Sequence, residues 1–249
     1  MAKALLLHDK YFMTNLTLAQ TQFIESVLTL KPKVATFDCD GTLWSGDAGE
    51  GFFKWELKEA WLPEEISRWI QSRYADYKAG KVAEEVMCGE MVTIHRGMRE
   101  EVVQQACDVY FAREIAPTIF PEMLALVQRL REAGCEVWAV SSSSHWVIRS
   151  GMRSFGVPND RILAAEAAVE NGIVEDRLIR VPSGRGKPEA IRSVFKSAPD
   201  CAFGNAIWDR EMLAMAQHAF VINPNPDLKE VAIAENWTIY QPIKNDTGR

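Results

Sequence analysis

Apolar residues recur near helical spacing over residues 16–30, and this predicts a helix that Pro32 brings to an end. Lys33-Val34-Ala35-Thr36-Phe37 follows with β-branched and apolar residues and no helical period, the pattern of a short buried strand. Helical periods return between 45 and 116. Phe53, Leu57, Ala60 and Trp61 fall on one predicted face and Ile66, Trp69 and Ile70 on another, with further helices predicted over 82–95 and 99–113. From Pro117 the pattern alternates between strand and helix. Pro121–Glu132 reads as a helix stopped by Gly134, Glu136–Val140 as a strand running into Ser141-Ser-Ser-Ser144, and His145–Phe155 as a helix stopped by Gly156. Asn171-Gly172 marks a hairpin between the apolar stretches of 162–181. A helix over Lys187–Lys196, a strand at Cys201–Phe203, a helix over Asp209–Gln217 and a strand at Ala219–Ile222 complete the series.

Repeated strand–helix units imply an α/β chain with a doubly wound, mostly parallel, Rossmann-like sheet covered by helices on both faces. The expected organisation is an N-terminal helical extension over 1–30, an α/β core from 31–44 and 117–249, and a helical insertion of about four helices over 45–116.

Composition narrows the function. The chain has 249 residues, enough for one large core with an accessory domain, and is 47% hydrophobic and 25% charged. A net charge of −6 without a Lys/Arg run argues against a nucleic-acid partner, since a phosphate backbone needs a basic footprint. Five scattered cysteines without a CxxC fit a reducing compartment rather than a disulfide framework. Asp9 and Lys10 interrupt the apolar run of the first ten residues, which therefore does not read as a signal peptide, and no stretch approaches the ~18 apolar residues of a membrane span. The expectation is a soluble cytoplasmic protein with no membrane partner.

The chemistry gathers at predicted strand ends, where ligands of such sheets bind. The first strand runs into Asp38 and Asp40, and two carboxylates there are costly unless they hold a cation or react. Ser141 and Ser142 follow the second strand, Asn205 and Asp209 the third, and Lys187 stands in Gly184-Arg-Gly-Lys at a helix start without the spacing of a nucleotide P-loop. Singly, each signal has an ordinary reading: an Asp-rich turn, a helix cap, a surface lysine, an acid favouring a helix dipole. Together they suit a phosphoryl group held with Mg2+.

In this order the motifs resemble the haloacid dehalogenase-like hydrolase superfamily, nearest its phosphoserine phosphatase-like branch, over about residues 33–240. Asp38-Cys39-Asp40-Gly41-Thr42-Leu43 is similar to the first motif, Val140-Ser141-Ser142 to the second, Gly186-Lys187-Pro188 to the third and Gly204-Asn205-Ala206-Ile207-Trp208-Asp209 to the fourth. The resemblance implies a helical cap over 45–116 and a Mg2+-dependent phosphatase acting on a small phosphorylated metabolite. Asp38 would be the nucleophile that becomes an aspartyl-phosphate and Asp40 the general acid and base. Ser141 would hold phosphate oxygens and Lys187 would offset charge, both in catalytic roles. Asp38, the Asp40 carbonyl, Asn205 and Asp209 would ligate the metal, and Ser142, Asp47 and Gly41 would contact substrate. Asn205 departs from the family's usual aspartate. A phosphotransferase of the same fold, or a non-catalytic phosphoryl-ligand binding or regulatory protein, is the alternative.

The resemblance places an acid, Asp47 or Glu50, where phosphoserine phosphatases hold a substrate amine. It places no arginine for the substrate carboxylate, Arg96 being the nearest candidate, and the stretch around Cys88-Gly89-Glu90 is acidic. Aromatics over 52–61 read either as helix core or as a box for a cationic head group.

Overall fold

The structure, a computed structural model, describes residues 16–242. The reading of the first ten residues, and half of the 1–30 extension, fall outside the described residues. Helix α1 (Leu18–Thr29) opens on a capping box in which Thr17 accepts from the Gln20 N–H and the Gln20 side chain accepts from the Thr17 N–H. Strand β1 (Val34–Phe37) follows. Then come α2 (Ala48–Lys58), α3 (Glu64–Lys78), α4 (Glu84–Thr93) and α5 (Glu100–Tyr110), the last running through a π turn at Phe111–Ile115. The remaining order is α6 (Pro121–Glu132), β2 (Glu136–Ser144), α7 (His145–Met152), β3 (Ile162–Glu170), β4 (Ile173–Arg180), α8 (Gly186–Val194), β5 (Cys201–Gly204), α9 (Arg210–Met215), β6 (His218–Ile222), α10 (Pro226–Ala234) and β7 (Thr238–Tyr240).

Among the described residues the strands form one seven-stranded sheet in the order β4-β3-β2-β1-β5-β6-β7. All pairs are parallel except β3–β4. The chain works outward from β1 to β4 on one side, then returns to β5 and works outward on the other. The carboxyl end of β1 therefore lies at the point where strand order reverses, the place in such sheets where ligands bind.

Alternation along the strands decides which residues face which helical layer. Ala35, Phe37, Cys201, Phe203, Phe220 and Ile222 join one apolar cluster with residues of α1, α6 and α7. The intervening Ala202 and Val221 join a second cluster with Ile191 of α8, Leu213 of α9 and Leu228 of α10. Register brings Phe37, Phe203 and Phe220 side by side, with ring centroids 4.1 and 4.8 Å apart. Each such stacked pair adds about 0.5–1.5 kcal/mol beyond its buried area. This ladder stiffens the strands that carry Asp38 and Asn205.

The segment 45–116 is helical, as its periodicity predicts, and Phe53, Leu62, Ile70, Met87 and Ile94 form a cluster of their own. Two of the expected face residues stand elsewhere. Ala60 lies past the end of α2 at φ +50°, and Trp69 is 47% exposed. Glu56 of α2 and His95 after α4 meet at 2.5 Å, each 1% exposed. The two connections to the sheet run together, with the Ser45 N–H donating to the Thr118 carbonyl and the Phe120 N–H to that of Leu43.

Asn171 and Gly172 make the two-residue turn between β3 and β4 with φ of +53° and +78°, a backbone that explains the Asn-Gly pair. The tip of this hairpin reaches the helical segment. The Gly97 N–H donates to Val174 O at 2.8 Å, the Val174 N–H to Met98 O at 2.9 Å, and the Glu100 N–H to Gly172 O at 2.9 Å. Three elements differ from the expectations. Strand β2 continues through Ser144, with its pairing to β3 shifting between Val140 and Ser144, and α10 and β7 extend the sheet side that ended at Asn223-Pro224 in the sequence reading.

Candidate active site

Asp38 follows β1 directly, and its N–H donates to the Phe203 carbonyl, so the sheet ladder itself aims the side chain. The carboxylate is 6% exposed. Its Oδ1 accepts from Lys187 Nζ at 2.7 Å and its Oδ2 from Thr42 Oγ1 at 2.9 Å. Lys187 is 1% exposed, and its other donors reach Asp209 Oδ1 at 2.5 Å and the Val140 carbonyl at 3.0 Å. An ammonium has three N–H donors, and all three have partners inside the protein. Asp209 in turn accepts on Oδ2 from the N–H groups of Asn205 and Ala206 at 2.9 and 3.0 Å.

This cluster sets its own titration. Burial raises Asp38, and the charge of Asp209 raises it further. Lys187 and Thr42 pull it back, and it settles at about 6. Burial alone would lower Lys187, but Asp209 and Asp38 outweigh it and hold the ammonium well above the usual lysine range.

Asp40 sits at the start of α2. Its Oδ1 accepts from the Ala48 N–H, the first of that helix, at 2.5 Å and from Trp44 Nε1 at 2.8 Å; its Oδ2 meets Ser143 Oγ at 2.7 Å. Burial raises Asp40 first, and Asp47 adds to this against the hydrogen bonds of Ala48 and Ser143, so the carboxyl is pushed up to about 8. The amide and the indole can only donate, whereas a hydroxyl can also accept. A proton on Asp40 therefore belongs on Oδ2, with Ser143 turned to receive it.

A cavity of about 450 Å3 opens over these groups. Asp38, Asp40, Lys187, Asn205 and Asp209 line it together with Asp47, Glu50, Glu84, Phe52, Phe53 and Tyr77. Ser142 also reaches it. Ser141 is 1% exposed and lies beneath, its Oγ accepting from the Ser143 N–H at 3.1 Å. Asp47 accepts from the Glu50 N–H at 2.7 Å and so caps α2. Gly41 lines the cavity with both backbone groups committed, its N–H to Trp44 O at 2.9 Å and its carbonyl to Asn223 Nδ2 at 3.2 Å. Its φ of +76° suits glycine, and a Cβ there would lie 1.9 Å from the Asn205 amide nitrogen. Gly41 thus makes room for Asn205, and its N–H and carbonyl are both engaged within the protein. Arg96 stands away from the cavity, paired with Asp176 at 3.0 Å.

Sequence reasoning missed Trp44, Ser143 and Thr42, which hold the two aspartates, and Glu84, which reaches the cavity from α4. Only Thr42 carried a signal, as part of the first motif.

Among the described residues no group of three His, Cys, Asp or Glu side chains is arranged as metal ligands. A cation bound here would draw on the Asn205 amide and the Asp40 carbonyl beside Asp38 and Asp209. All four are oxygen donors, which suits a hard cation such as Mg2+. No helix among the described residues is long and apolar enough to cross a membrane.

A protein described as a probable phosphatase from Mycobacterium tuberculosis is 28% identical over 130 residues, covering 50% of this chain and 45% of that protein. The chain thus spans about half the length of that relative. A solved protein of unknown function from Bordetella pertussis superposes with a TM-score of 0.71 at 20% identity, covering 83% of this chain and 96% of that one. A phosphoserine phosphohydrolase-like protein from Francisella tularensis does so with a TM-score of 0.58 at 15% identity, covering 84% and 95%. At these identities the likeness establishes the fold. The profile of the haloacid dehalogenase-like hydrolases matches residues 35–214, a stretch from β1 through α9 that contains every residue of the Asp38–Lys187–Asp209 cluster, and the chain belongs to that family.

Proposed function

We propose that this chain is a Mg2+-dependent phosphatase that hydrolyses a small-molecule phosphate monoester through an aspartyl-phosphate on Asp38. The observation that carries the reading is the Asp38 carboxylate, buried against Lys187 at the end of the central strand and sharing a cavity with Asp40.

Two negative charges repel, so a carboxylate attacks a phosphate only where cations offset them. Lys187 supplies one such charge. Mg2+, when bound, would supply more, held by Asp38, the Asp40 carbonyl, Asn205 and Asp209. In the first step an Asp38 oxygen bonds to phosphorus and the bond to the leaving alcohol breaks. Asp40, protonated on Oδ2, gives that proton to the leaving oxygen. In the second step Asp40 takes a proton from water as the water oxygen bonds to phosphorus, and the Asp38–phosphorus bond breaks, freeing phosphate. Ser143 and Trp44 hold Asp40 in place for both transfers. Ser142 and the end of β2, set by Ser141, face the phosphoryl group.

The helices of 45–116 act in this reading as a cap that closes the cavity and excludes water. The cysteines of the described residues are all free thiols, which fits a cytoplasmic setting. Asp38→Asn tests the assignment. It should abolish hydrolysis of para-nitrophenyl phosphate in the presence of Mg2+ while leaving the circular dichroism spectrum unchanged. Undiminished turnover would refute the role.

A further inference from the structure

The part of the cavity lining contributed by α2 and α4 has an unusual charge balance. Asp47, Glu50, Glu56 and Glu84 all line it, and no arginine or second lysine does. Lys187 is the single basic residue of the whole lining, and its three donors are consumed by Asp38, Asp209 and Val140. Two of the four acids are neutralised from behind. Glu50 pairs with Lys54 at 2.6 Å and with Lys78 at 3.7 Å, and Glu56 pairs with His95. Asp47 and Glu84 are in no ion pair among the described residues. Asp47 is engaged by the N-terminus of α2, and Glu84, 9% exposed, accepts one hydrogen bond from Ser183 Oγ at 2.7 Å.

Glu84 reaches the site from α4 and Asp47 from α2, close enough that each raises the other's neighbour Tyr77 and that Asp47 acts on Glu84. Phe52, Phe53, Tyr77 and Met87 complete this end of the cavity. A carboxylate buried without a paired counter-charge is costly, and burial pushes Glu84 up to about 7 against the Ser183 hydrogen bond and the charge of Lys187, which is itself paired with Asp38 and Asp209. A ligand cation set between acids and aromatic faces would remove that cost. A ligand carboxylate would add to it, since the nearest candidate arginine, Arg96, is 68% exposed and bound to Asp176.

We infer that the substrate is the phosphate monoester of a cationic amino alcohol lacking a carboxylate, with Glu84 as the residue that selects the cation. This rests on the phosphatase reading above and sharpens it to a substrate class. The phosphoryl group lies toward Asp38 and Lys187, and the ammonium lies toward Glu84 and Asp47.

Three matched probes test it in the full chain with Mg2+: O-phosphoethanolamine, ethyl phosphate and O-phosphoserine, alongside para-nitrophenyl phosphate. The expected kcat/KM for phosphoethanolamine exceeds that for each of the other two alkyl esters by about tenfold or more, the size of one charge-assisted contact. Glu84→Gln keeps a side chain that can still meet Ser183 but removes the charge. It should bring the phosphoethanolamine-to-ethyl phosphate ratio close to one, whereas Ser183→Ala, which breaks the contact between α4 and the core, should leave the ratio in place. Equal or better turnover of ethyl phosphate or phosphoserine overturns the inference, as does an unchanged ratio in Glu84→Gln. If para-nitrophenyl phosphate is hydrolysed and phosphoethanolamine is not, the inference falls and the phosphatase reading stands. If no monoester is hydrolysed, the phosphatase reading falls and takes this one with it.

Discussion

Replacing Lys187 with methionine keeps the length of the side chain and removes the cation from a buried group of three charges. Asp38 and Asp209 then face each other without it, and the Val140 carbonyl loses a donor. Breaking a buried pair by removing one partner costs about 3–5 kcal/mol, because the other charge stays buried and uncompensated. Against a typical total stability of about 5–15 kcal/mol the variant should fold but unfold far more readily. The pH dependence gives a second signature. Lys187 is raised in the folded wild type, so its contribution is fully present below the ordinary lysine value and constant between pH 5 and 8. In the variant the Thr42 hydroxyl alone is left to offset burial at Asp38, which, already at about 6, moves higher. A folded-state carboxyl raised above its unfolded value gives stability that is lost as pH rises. The deficit of Lys187→Met relative to wild type should therefore be largest at pH 8 and smaller at pH 5, where Asp38 is protonated. Urea titrations at both values measure it. A loss below about 1 kcal/mol, the worth of an exposed ion pair, or a deficit that does not change with pH, would refute the buried-charge argument.

Three further outcomes are expected. Asp40→Asn should lower turnover of alkyl phosphates by about 10²–10⁴, the usual scale of general acid catalysis, and that of para-nitrophenyl phosphate much less; steady-state kinetics with both esters decides, and equal losses count against the role. Asn205→Asp places a charge next to the proposed cation site, and an anionic oxygen attracts a hard cation more strongly than a neutral one, so the Mg2+ concentration for half-maximal activity should fall several-fold; a titration curve that does not move removes Asn205 from the site. Burial lowers His95 but the charge and hydrogen bond of Glu56 outweigh it, and burial raises Glu56, so both groups hold protons in the folded state that the unfolded chain releases. The stability advantage of wild type over Glu56→Gln should shrink as pH rises through 4.5 and 6.5, because in the variant His95 loses the carboxylate and keeps only the Val92 carbonyl against burial; an advantage that grows instead would overturn the sign.

The α/β architecture was legible because each layer leaves a period in the chain, and the Asn171-Gly172 turn was legible because few other pairs take that backbone. Strand β2 was cut short at Val140 because its last four residues are serines, whose polarity hides a strand that pairs by a shifted register. Strand β7 has three residues and shows no period at that length. Asp38, Asp40 and Lys187 could be paired from their order along the chain. Ser143 and Glu84 could not, since one reaches Asp40 through the register shift and the other reaches the cavity across 99 positions from Ser183.

The hairpin tip bears on how a substrate enters. Main-chain bonds from Val174 and Gly172 fasten residues 97–100 to the sheet edge, while Asp40 fastens the first turn of α2. A swing of the whole helical segment about its two connections would break four such bonds at once, at about 1 kcal/mol each. If the segment is a cap, what moves is therefore confined to the span between these anchors and within it to α3, since α4 packs on β2, β3 and β4. In that reading Tyr74 and Tyr77 of α3, which line the cavity, form the edge that opens to admit a substrate.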